Sequence, residues 1–299
     1  MGRSTGARPA TRRRRAGTRG GPARTRWPPG RNRLRPPRAR ASGHDDTVTA
    51  DASISFDRLA HCYDATRGGL ARGVAFAPAL ARWCAPNGPV LEVGVGTGAI
   101  AVALRGQLGR AVVGLDLAPA MLAVARERLG PCVGVADVQQ LSVPDAAVAT
   151  LVASWVLHLV GDPAAMLREC RRVVRGDGRL LLVSARGEVS AQDMDAVMRD
   201  LTEEIRGRAD VRERLEPIAS AAGWTIVAED LTDEERWADS PAAIADRTEA
   251  RLRVALLDVD DETYDRCARP MVEALRALPD PTRPREHVGR HRLFVLEPQ

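Results

Sequence analysis

The stretch Val90-Leu91-Glu92-Val93-Gly94-Val95-Gly96-Thr97-Gly98 decides the fold of this chain. Its apolar start predicts a buried strand, and three glycines at alternate positions predict a sharp turn with space for a ligand against main-chain N–H groups. The third glycine stands one residue earlier than in the dinucleotide fingerprint, which disfavours a nicotinamide or flavin site. Glu92 would repel a pyrophosphate and attract a ligand that carries an ammonium and a sulfonium group. The loop therefore predicts a nucleoside site, and S-adenosylmethionine fits its charge.

Three further apolar runs end in small or acidic side chains. The first, Ala111 to Asp116, ends 18 residues after the glycine loop, where a doubly wound fold places the carboxylate that holds ribose hydroxyls. The second, Cys132 to Ala136, is followed by Asp137, and the third, Val148 to Val152, precedes Ser154. Ligands of open parallel sheets bind at the edge where such strands end. We therefore expect these side chains at one site.

Four blocks of the chain, in this order, resemble consecutive motifs of the class I S-adenosylmethionine-dependent methyltransferases: VLEVGVGTG, GLDLAPAML, GVADVQQL and LHLVGDPAAMLRECRRVVRGDGRLLLVSA. The nearest group contains small-molecule enzymes such as the ubiquinone and menaquinone biosynthesis methyltransferases, and Phe56 to Asp64 resembles its N-terminal helix. The resemblance covers residues 54 to 185 well. It implies an α/β fold with a doubly wound, Rossmann-like, seven-stranded and mostly parallel sheet, helices on both faces, and S-adenosylmethionine as cofactor.

The resemblance also implies a role for each motif position. The methionine part of the cofactor would contact Glu92, Gly94 and Gly96. Gly98, the third glycine of the loop, would belong to the same site, and Ser154 and Tyr63 would line the methionine end. The ribose hydroxyls would bind Asp116, and the adenine amino group would lie beside Asp137. Leu117, Met121 and Val138 would pack on the adenine faces.

The net positive charge of the chain comes from its N-terminal segment. All 44 basic residues are arginine, and the formal net charge is +5. Residues 1–46 hold 14 arginines and two aspartates, a net of +12, which leaves −7 for residues 47–299. We therefore expect residues 1–50 to be a disordered tail rich in Arg, Pro and Gly, and residues 51–299 to form the methyltransferase domain.

Two interpretations of the tail stay open. An arginine block attracts nucleic acid or a membrane surface, and transit peptides are also Arg-rich, although prolines such as Pro28 and Pro36 oppose the amphipathic helix that import requires. The favoured interpretation is a solvated or artefactual tail; in the second case it is translated upstream sequence from a GC-rich genome, with Val48 as a candidate GTG start codon. The acidic body argues against nucleic acid as a partner.

Cysteines and histidines do not predict a metal site. The five cysteines are widely spaced without a C-x-x-C pair, which suits a reducing cytoplasm. His287-x-x-x-His291 precedes a predicted last strand, Leu293 to Leu296, and we expect the pair at the surface unless acidic partners appear. No secretory signal or apolar run long enough to span a membrane occurs, so we expect a cytoplasmic protein without a membrane partner.

Residues 186–287 depart from the standard order of a doubly wound fold. Helical patterns begin near Ser190, Val211 and Ser240, and Asp261 to Leu278 predicts a further helix, whereas Trp224 to Ala228 alternates like a strand. Helices inserted before the last strand carry spare apolar surface. Two uses of it stay open, a cover over the substrate and ordinary core packing.

Methyl transfer from a sulfonium requires alignment of the reactants rather than an enzyme nucleophile. His158 is the candidate general base, because it follows the fourth strand at the cofactor edge and imidazole titrates near neutrality. Packing or helix capping is the alternative role for this histidine.

The sequence thus predicts a bacterial S-adenosylmethionine-dependent methyltransferase acting on a small molecule. The alternatives are a cofactor-binding protein without methyl-transfer activity and a nicotinamide-dependent oxidoreductase. A nucleic-acid methyltransferase is disfavoured, because Ser154-Trp155-Val156-Leu157 stands where amino-methylating DNA enzymes carry an Asn/Asp-Pro-Pro-aromatic tetrapeptide. The acceptor atom and the oligomeric state stay open.

Overall fold

The computed structural model describes residues 1–2, 56–190, 192–198, 211–253, 256 and 259–299, without the side chains of residues 185 and 186. The chain divides into two units, Met1–His44 and Asp45–Gln299. Apart from residues 1–2, the predictions for the tail lie outside the described residues. All elements below belong to the second unit.

Five strands and the helices around them form the first part of this unit. In chain order they are α1 (Tyr63–Arg67), α2 (Gly69–Trp83), β1 (Val90–Val93), α3 (Ala99–Leu108), β2 (Val112–Asp116), α4 (Pro119–Leu129), β3 (Val133–Val135), β4 (Val148–Ser154), α5 (Pro163–Val173) and β5 (Val174–Val189). The second part contains α6 (Arg212–Ala221), β6 (Trp224–Leu231), β7 (Glu235–Asp239), α7 (Pro241–Glu249), α8 (Asp261–Thr263), a π-helical turn (Tyr264–Ala268), α9 (Arg269–Arg276) and β8 (Arg285–Pro298).

The strands form one eight-stranded sheet with the order β3-β2-β1-β4-β5-β8-β6, and β7 pairs with β8. Strands β1 to β5 run parallel, whereas β8 is antiparallel to β5, β6 and β7. The chain reverses its direction of growth between β1 and β4, and doubly wound folds bind ligands at such a reversal. The predicted doubly wound, mostly parallel architecture is confirmed, with β7 as one strand more than expected.

The central strands are covered on both faces. Every residue of β4 is buried, and neighbours such as Leu151 and Val152 enter different apolar clusters because alternate side chains of a strand point to opposite faces. Helix α5 covers one face and begins at Pro163. Its N-cap is Asp162, whose side chain accepts a hydrogen bond from the N–H of Ala165 at 2.9 Å. This packing holds the strand ends rigidly at the ligand edge.

A third apolar cluster lies among the helices inserted before the last strand. It contains Met194, Ile244, Leu256, Met271 and Leu275, each at most 5% exposed. The helix predicted from Asp261 is present as α8 and α9, joined by the π-helical turn. Of the helix predicted after Ser190, residues 193–198 are helical, and its continuation lies outside the described residues. Among the described residues, no helix combines the length and apolarity needed to cross a bilayer.

Candidate functional site

A cavity of about 550 Å³ lies where β1, β2 and β4 end. Its volume falls within the usual range for small-molecule sites. Ten of the twelve residues predicted to bind the cofactor or act in catalysis line it: Tyr63, Gly94, Gly96, Asp116, Leu117, Met121, Asp137, Val138, Ser154 and His158. Two others lie next to it rather than in its wall, Glu92 within β1 and Gly98 at the start of α3.

The glycine loop adopts the conformation that its spacing predicts. Gly94, Gly96 and Gly98 all have positive φ angles, 64°, 53° and 79°. A Cβ atom on Gly94 would lie 2.3 Å from a methyl carbon of Val156, whereas the same position on Gly96 meets no atom within 4 Å. A side chain at position 94 would therefore clash, and Gly96 leaves open space for a ligand beside the main chain.

Asp116 joins the loop to the end of β2. Its Oδ2 accepts a hydrogen bond from the N–H of Gly96 at 2.7 Å, and its Oδ1 accepts one from the N–H of Ala118 at 2.9 Å. Burial raises the pKa of this carboxyl group, and the two main-chain donors act in the opposite direction. Each oxygen keeps a lone pair for a further donor, such as a ribose hydroxyl.

Glu92 is a buried carboxyl group with unmet hydrogen-bonding capacity. It is 2% exposed, and its Oε2 has no hydrogen-bond partner among the described residues. Burial raises the pKa of Glu92 well above its ordinary value, and the nearby charge of Asp116 raises it further. A cation bound at the glycine loop would stabilise the ionised form of both groups. This site therefore favours a positively charged ligand.

The rest of this end of the cavity combines apolar walls with two polar groups. Asp137 is held in place because its Oδ1 accepts a hydrogen bond from the N–H of Gln139 at 2.8 Å. Ser154 is 7% exposed, and its Oγ has no hydrogen-bond partner among the described residues. The apolar lining includes Leu117, Met121 and Val138. The half-buried His158 also lines the cavity, four residues beyond the end of β4.

The opposite end of the cavity contains the histidine pair, His287 and His291, together with residues that the sequence did not single out. Strands β5 and β8 continue beyond the ends of the parallel strands, and β7 pairs with this extension, where Trp237 lies opposite His287. Glu235 is the central acid here: its Oε1 accepts a hydrogen bond from Nε of Arg72 at 2.6 Å, and its Oε2 lies 3.5 Å from Nε2 of His291. Burial acts to raise the pKa of Glu235, but the contacts with His291 and Arg72 hold this pKa below its ordinary value.

The expected surface position of the histidine pair is wrong. His287 is 3% exposed, and the side chain of His291 is 13% exposed. The reason is that β8 begins at Arg285, before the predicted strand, and pairs with β7, whose Trp237 stacks on His287. Acidic partners are present, since Asp195 Oδ2 lies 3.8 Å from His287 Nδ1 and Glu235 faces His291. Residues four apart in a strand lie on the same face of the sheet. The spacing of His287 and His291 in the sequence therefore indicates that both side chains lie on one face.

Metal ligation finds no support in this arrangement. Within the described residues, no three histidine, cysteine, aspartate or glutamate side chains are grouped in a way that would hold a metal ion. The two histidines each face a single acid instead.

Comparisons with known proteins point to one family. Residues 91–182 match the model of the methyltransferase domain. The malonyl-[acyl-carrier protein] O-methyltransferase of Serratia marcescens is 37% identical over 140 residues, which cover 46% of this chain and 53% of that protein. The phosphatidylethanolamine N-methyltransferase of Cereibacter sphaeroides is 36% identical over 107 residues, which cover 33% and 52%. The chain thus matches about half the length of these curated relatives.

The fold is also shared with a solved structure. A Bacillus halodurans protein assigned as a methyltransferase superposes with a TM-score of 0.50 at 19% identity, over 75% of this chain and 97% of that one. The family match covers the glycine loop and the strands β2 to β4 that carry the site. Residues 91–182 therefore match the methyltransferase domain family, and the chain shares its fold with the Bacillus halodurans protein.

Proposed function

We propose that this protein transfers a methyl group from S-adenosylmethionine to a small-molecule acceptor. The observation that carries the proposal is the unpartnered, buried carboxyl group of Glu92 beside a glycine loop with open space at Gly96. An anion in that position opposes a dinucleotide pyrophosphate and favours a ligand with an ammonium and a sulfonium group. The family match supports the same chemistry, because both curated relatives are named as methyltransferases.

The residues of the cavity fit this cofactor. Glu92 and the loop at Gly94 and Gly96 would hold the charged methionine end, with Ser154 and Tyr63 beside it. Asp116 would accept hydrogen bonds from the ribose hydroxyls, and Asp137 would lie beside the adenine amino group. The adenine faces would pack on Leu117, Met121 and Val138. Gly98 would act indirectly, by starting α3 directly after the loop.

The protein has two tasks in this reaction. The bound cofactor supplies a methyl group that is already activated on a positively charged sulfur. The chain must therefore align the acceptor with that methyl group and keep water out, because alignment provides most of the rate increase in such a displacement. The helices among residues 186–287 would provide the cover, since Met194 and Ile244 belong to their apolar cluster and also line the cavity.

We also propose a bacterial, cytoplasmic setting without nucleic acid or membrane as partner. Both curated relatives are bacterial, and all five cysteines are free, which suits a reducing compartment. The acidic body, with its net charge of −7 over residues 47–299, would repel a phosphate backbone. One relative is named as an O-methyltransferase and the other as an N-methyltransferase, so the acceptor atom stays open.

Calorimetric titration of the full chain tests the cofactor. We expect S-adenosylmethionine and S-adenosylhomocysteine to bind with dissociation constants on the order of micromolar, about 8 kcal/mol of binding free energy. NADH serves as the matched control, because it is a nucleoside ligand of opposite charge. Preferential binding of NADH would contradict the proposal.

A further inference from the structure

The end of the cavity beyond the cofactor residues combines an apolar and aromatic wall with charged side chains that pair with one another, Arg72 with Glu235 and Arg247 with Asp239. Its wall includes Val189, Met194, Met198, Trp237, Ile244 and Leu252. Trp237 stacks on the His287 ring with the two planes 6° apart and the ring centres 5.1 Å apart. A ligand that binds against this wall gains binding free energy mainly from the burial of its apolar surface.

The arginines at this end are already engaged. Arg72 donates to Glu235 at 2.6 Å, Arg247 donates to Asp239, and Nη1 of Arg253 lies 3.9 Å from the sulfur of Met271. A carboxylate or phosphate on the acceptor would have to share Arg72 with Glu235 or Arg247 with Asp239, and these two carboxylates would repel it. The charges of this end therefore disfavour an anionic acceptor.

The two histidines differ in their remaining hydrogen-bonding capacity. His291 has a hydrogen bond on one nitrogen, since its Nδ1 accepts from the indole N–H of Trp155 at 3.4 Å, and its Nε2 lies 3.5 Å from Oε2 of Glu235 without a hydrogen bond. Neither ring nitrogen of His287 has a hydrogen-bond partner among the described residues, and its nearest acid, Asp195, lies 3.8 Å from Nδ1. With Nδ1–H turned towards Asp195, the Nε2 atom of His287 is an acceptor without a donor.

We infer that the acceptor is an uncharged, mainly apolar small molecule with one hydroxyl group, and that this group hydrogen-bonds to His287. The inference rests on the proposed function, because it names the acceptor of that reaction. A hydroxyl donor would satisfy the unpartnered nitrogen while the apolar wall covers the remainder of the molecule. Binding includes a small adjustment of the ring, since both nitrogens are covered in this structure.

Three probes of similar size test the acceptor class: 2-naphthol, naphthalene and 2-naphthoate. Their binding to the full chain is measured by equilibrium dialysis, with and without S-adenosylhomocysteine. We expect 2-naphthol to bind about tenfold more tightly than naphthalene, which is the ordinary gain from one hydrogen bond. We expect 2-naphthoate to bind at least as weakly as naphthalene, because it adds an unpaired anion.

Two variants locate the hydrogen bond. His287→Phe keeps a ring on Trp237 and removes both nitrogens, so we expect the preference for 2-naphthol over naphthalene to disappear. His61→Ala is the matched control, since His61 is exposed and does not line the cavity, and we expect it to keep the full preference. If His287→Phe fails to fold, the order of the three probes on the unmodified chain still decides.

The outcomes separate this inference from the proposed function. Absence of 2-naphthol binding, tighter binding of 2-naphthoate, or a preference that survives in folded His287→Phe overturns the inference. If the expected order appears but S-adenosylhomocysteine does not bind, the proposed function fails and the hydroxyl site stands. If S-adenosylhomocysteine binds but the order does not appear, only the inference fails.

Discussion

The main-chain N–H of Gly96 donates a 2.7 Å hydrogen bond to Oδ2 of Asp116, and this bond joins the glycine loop to the end of the neighbouring strand. The same carboxyl group accepts from Ala118 at the start of the next helix. One side chain therefore fixes two turns that line the cavity. Its proposed contact with the ribose comes in addition to this structural role.

Replacement of Asp116 by alanine should affect both ligand binding and stability. We expect the affinity for S-adenosylmethionine to fall by about 1.5–3 kcal/mol, as is typical for hydrogen bonds to a charged group, and the melting temperature to fall as well. Calorimetry measures the first effect and thermal unfolding the second. Asp177→Ala, which removes an exposed carboxylate outside the cavity, is the control and should change neither. Unchanged affinity in folded Asp116→Ala would rule out the proposed ribose contact.

Glu92→Gln should stabilise the ligand-free protein and weaken cofactor binding. Burial raises the pKa of Glu92 in the folded state above 4.5, which is its ordinary value and the one expected in the unfolded chain. Between pH 4.5 and the raised pKa, the folded chain therefore holds a proton that the unfolded chain has released. The free energy of unfolding of the unmodified protein therefore declines as pH rises from about 4.5, and the glutamine variant lacks this decline. At pH 7 we expect Glu92→Gln to be more stable by on the order of 1–3 kcal/mol.

Denaturant unfolding between pH 4 and pH 8 measures the stability change in Glu92→Gln, with exposed Glu127→Gln as the control. Binding provides the second readout, because a positively charged ligand favours ionised Glu92. The affinity of the unmodified protein for S-adenosylmethionine should rise with pH through the raised pKa, and that dependence should be reduced in Glu92→Gln. A variant that is less stable at pH 7 and binds as tightly would refute this account.

Glu235→Gln should destabilise the fold in a pH-dependent way. Glu235 contacts Arg72 on α2 and His291 on β8, and the variant leaves Arg72 without a charged partner there, at a cost of about 1–3 kcal/mol at pH 7. Because the pKa of Glu235 is held below 4.5, its contribution to stability is lost as pH falls below that value through the folded-state pKa. The difference between the two proteins in denaturant unfolding should therefore shrink in acid. Glu234→Gln, at an exposed neighbour, should have little effect, and a difference that persists undiminished at pH 3 would count against the ion pair.

The two ends of the cavity differ in how far the sequence predicted them. The cofactor end is encoded locally, because each strand of a parallel sheet delivers its last residue, such as Asp116 or Ser154, to the same edge. The other end depends on long-range pairing. Trp237 meets His287 only because β8 extends to Arg285 and β7 adds to it, and neither fact follows from local periodicity.

Deletion of residues 1–47, so that the chain begins at Val48, should leave the affinity for S-adenosylmethionine and the melting temperature nearly unchanged. The deleted segment carries a net charge of +12 and few aliphatic residues, so it has little apolar surface to bury. Calorimetry and thermal unfolding of the full and shortened chains provide the comparison. A drop of more than a few degrees would mean that the segment packs on the domain.

His158→Ala distinguishes alignment from proton abstraction. His158 lines the cavity just after β4, but an activated methyl group makes alignment the main requirement, so we expect turnover with S-adenosylmethionine and an accepted hydroxyl compound to fall less than about tenfold. Loss of a general base would reduce turnover by roughly 100-fold or more. The pH profile gives a second criterion, since a base must be neutral and its removal would abolish the loss of rate in acid. A 100-fold loss together with a vanished acid limb, at unchanged cofactor affinity, would make His158 the base and His287 at most a binding group for the acceptor.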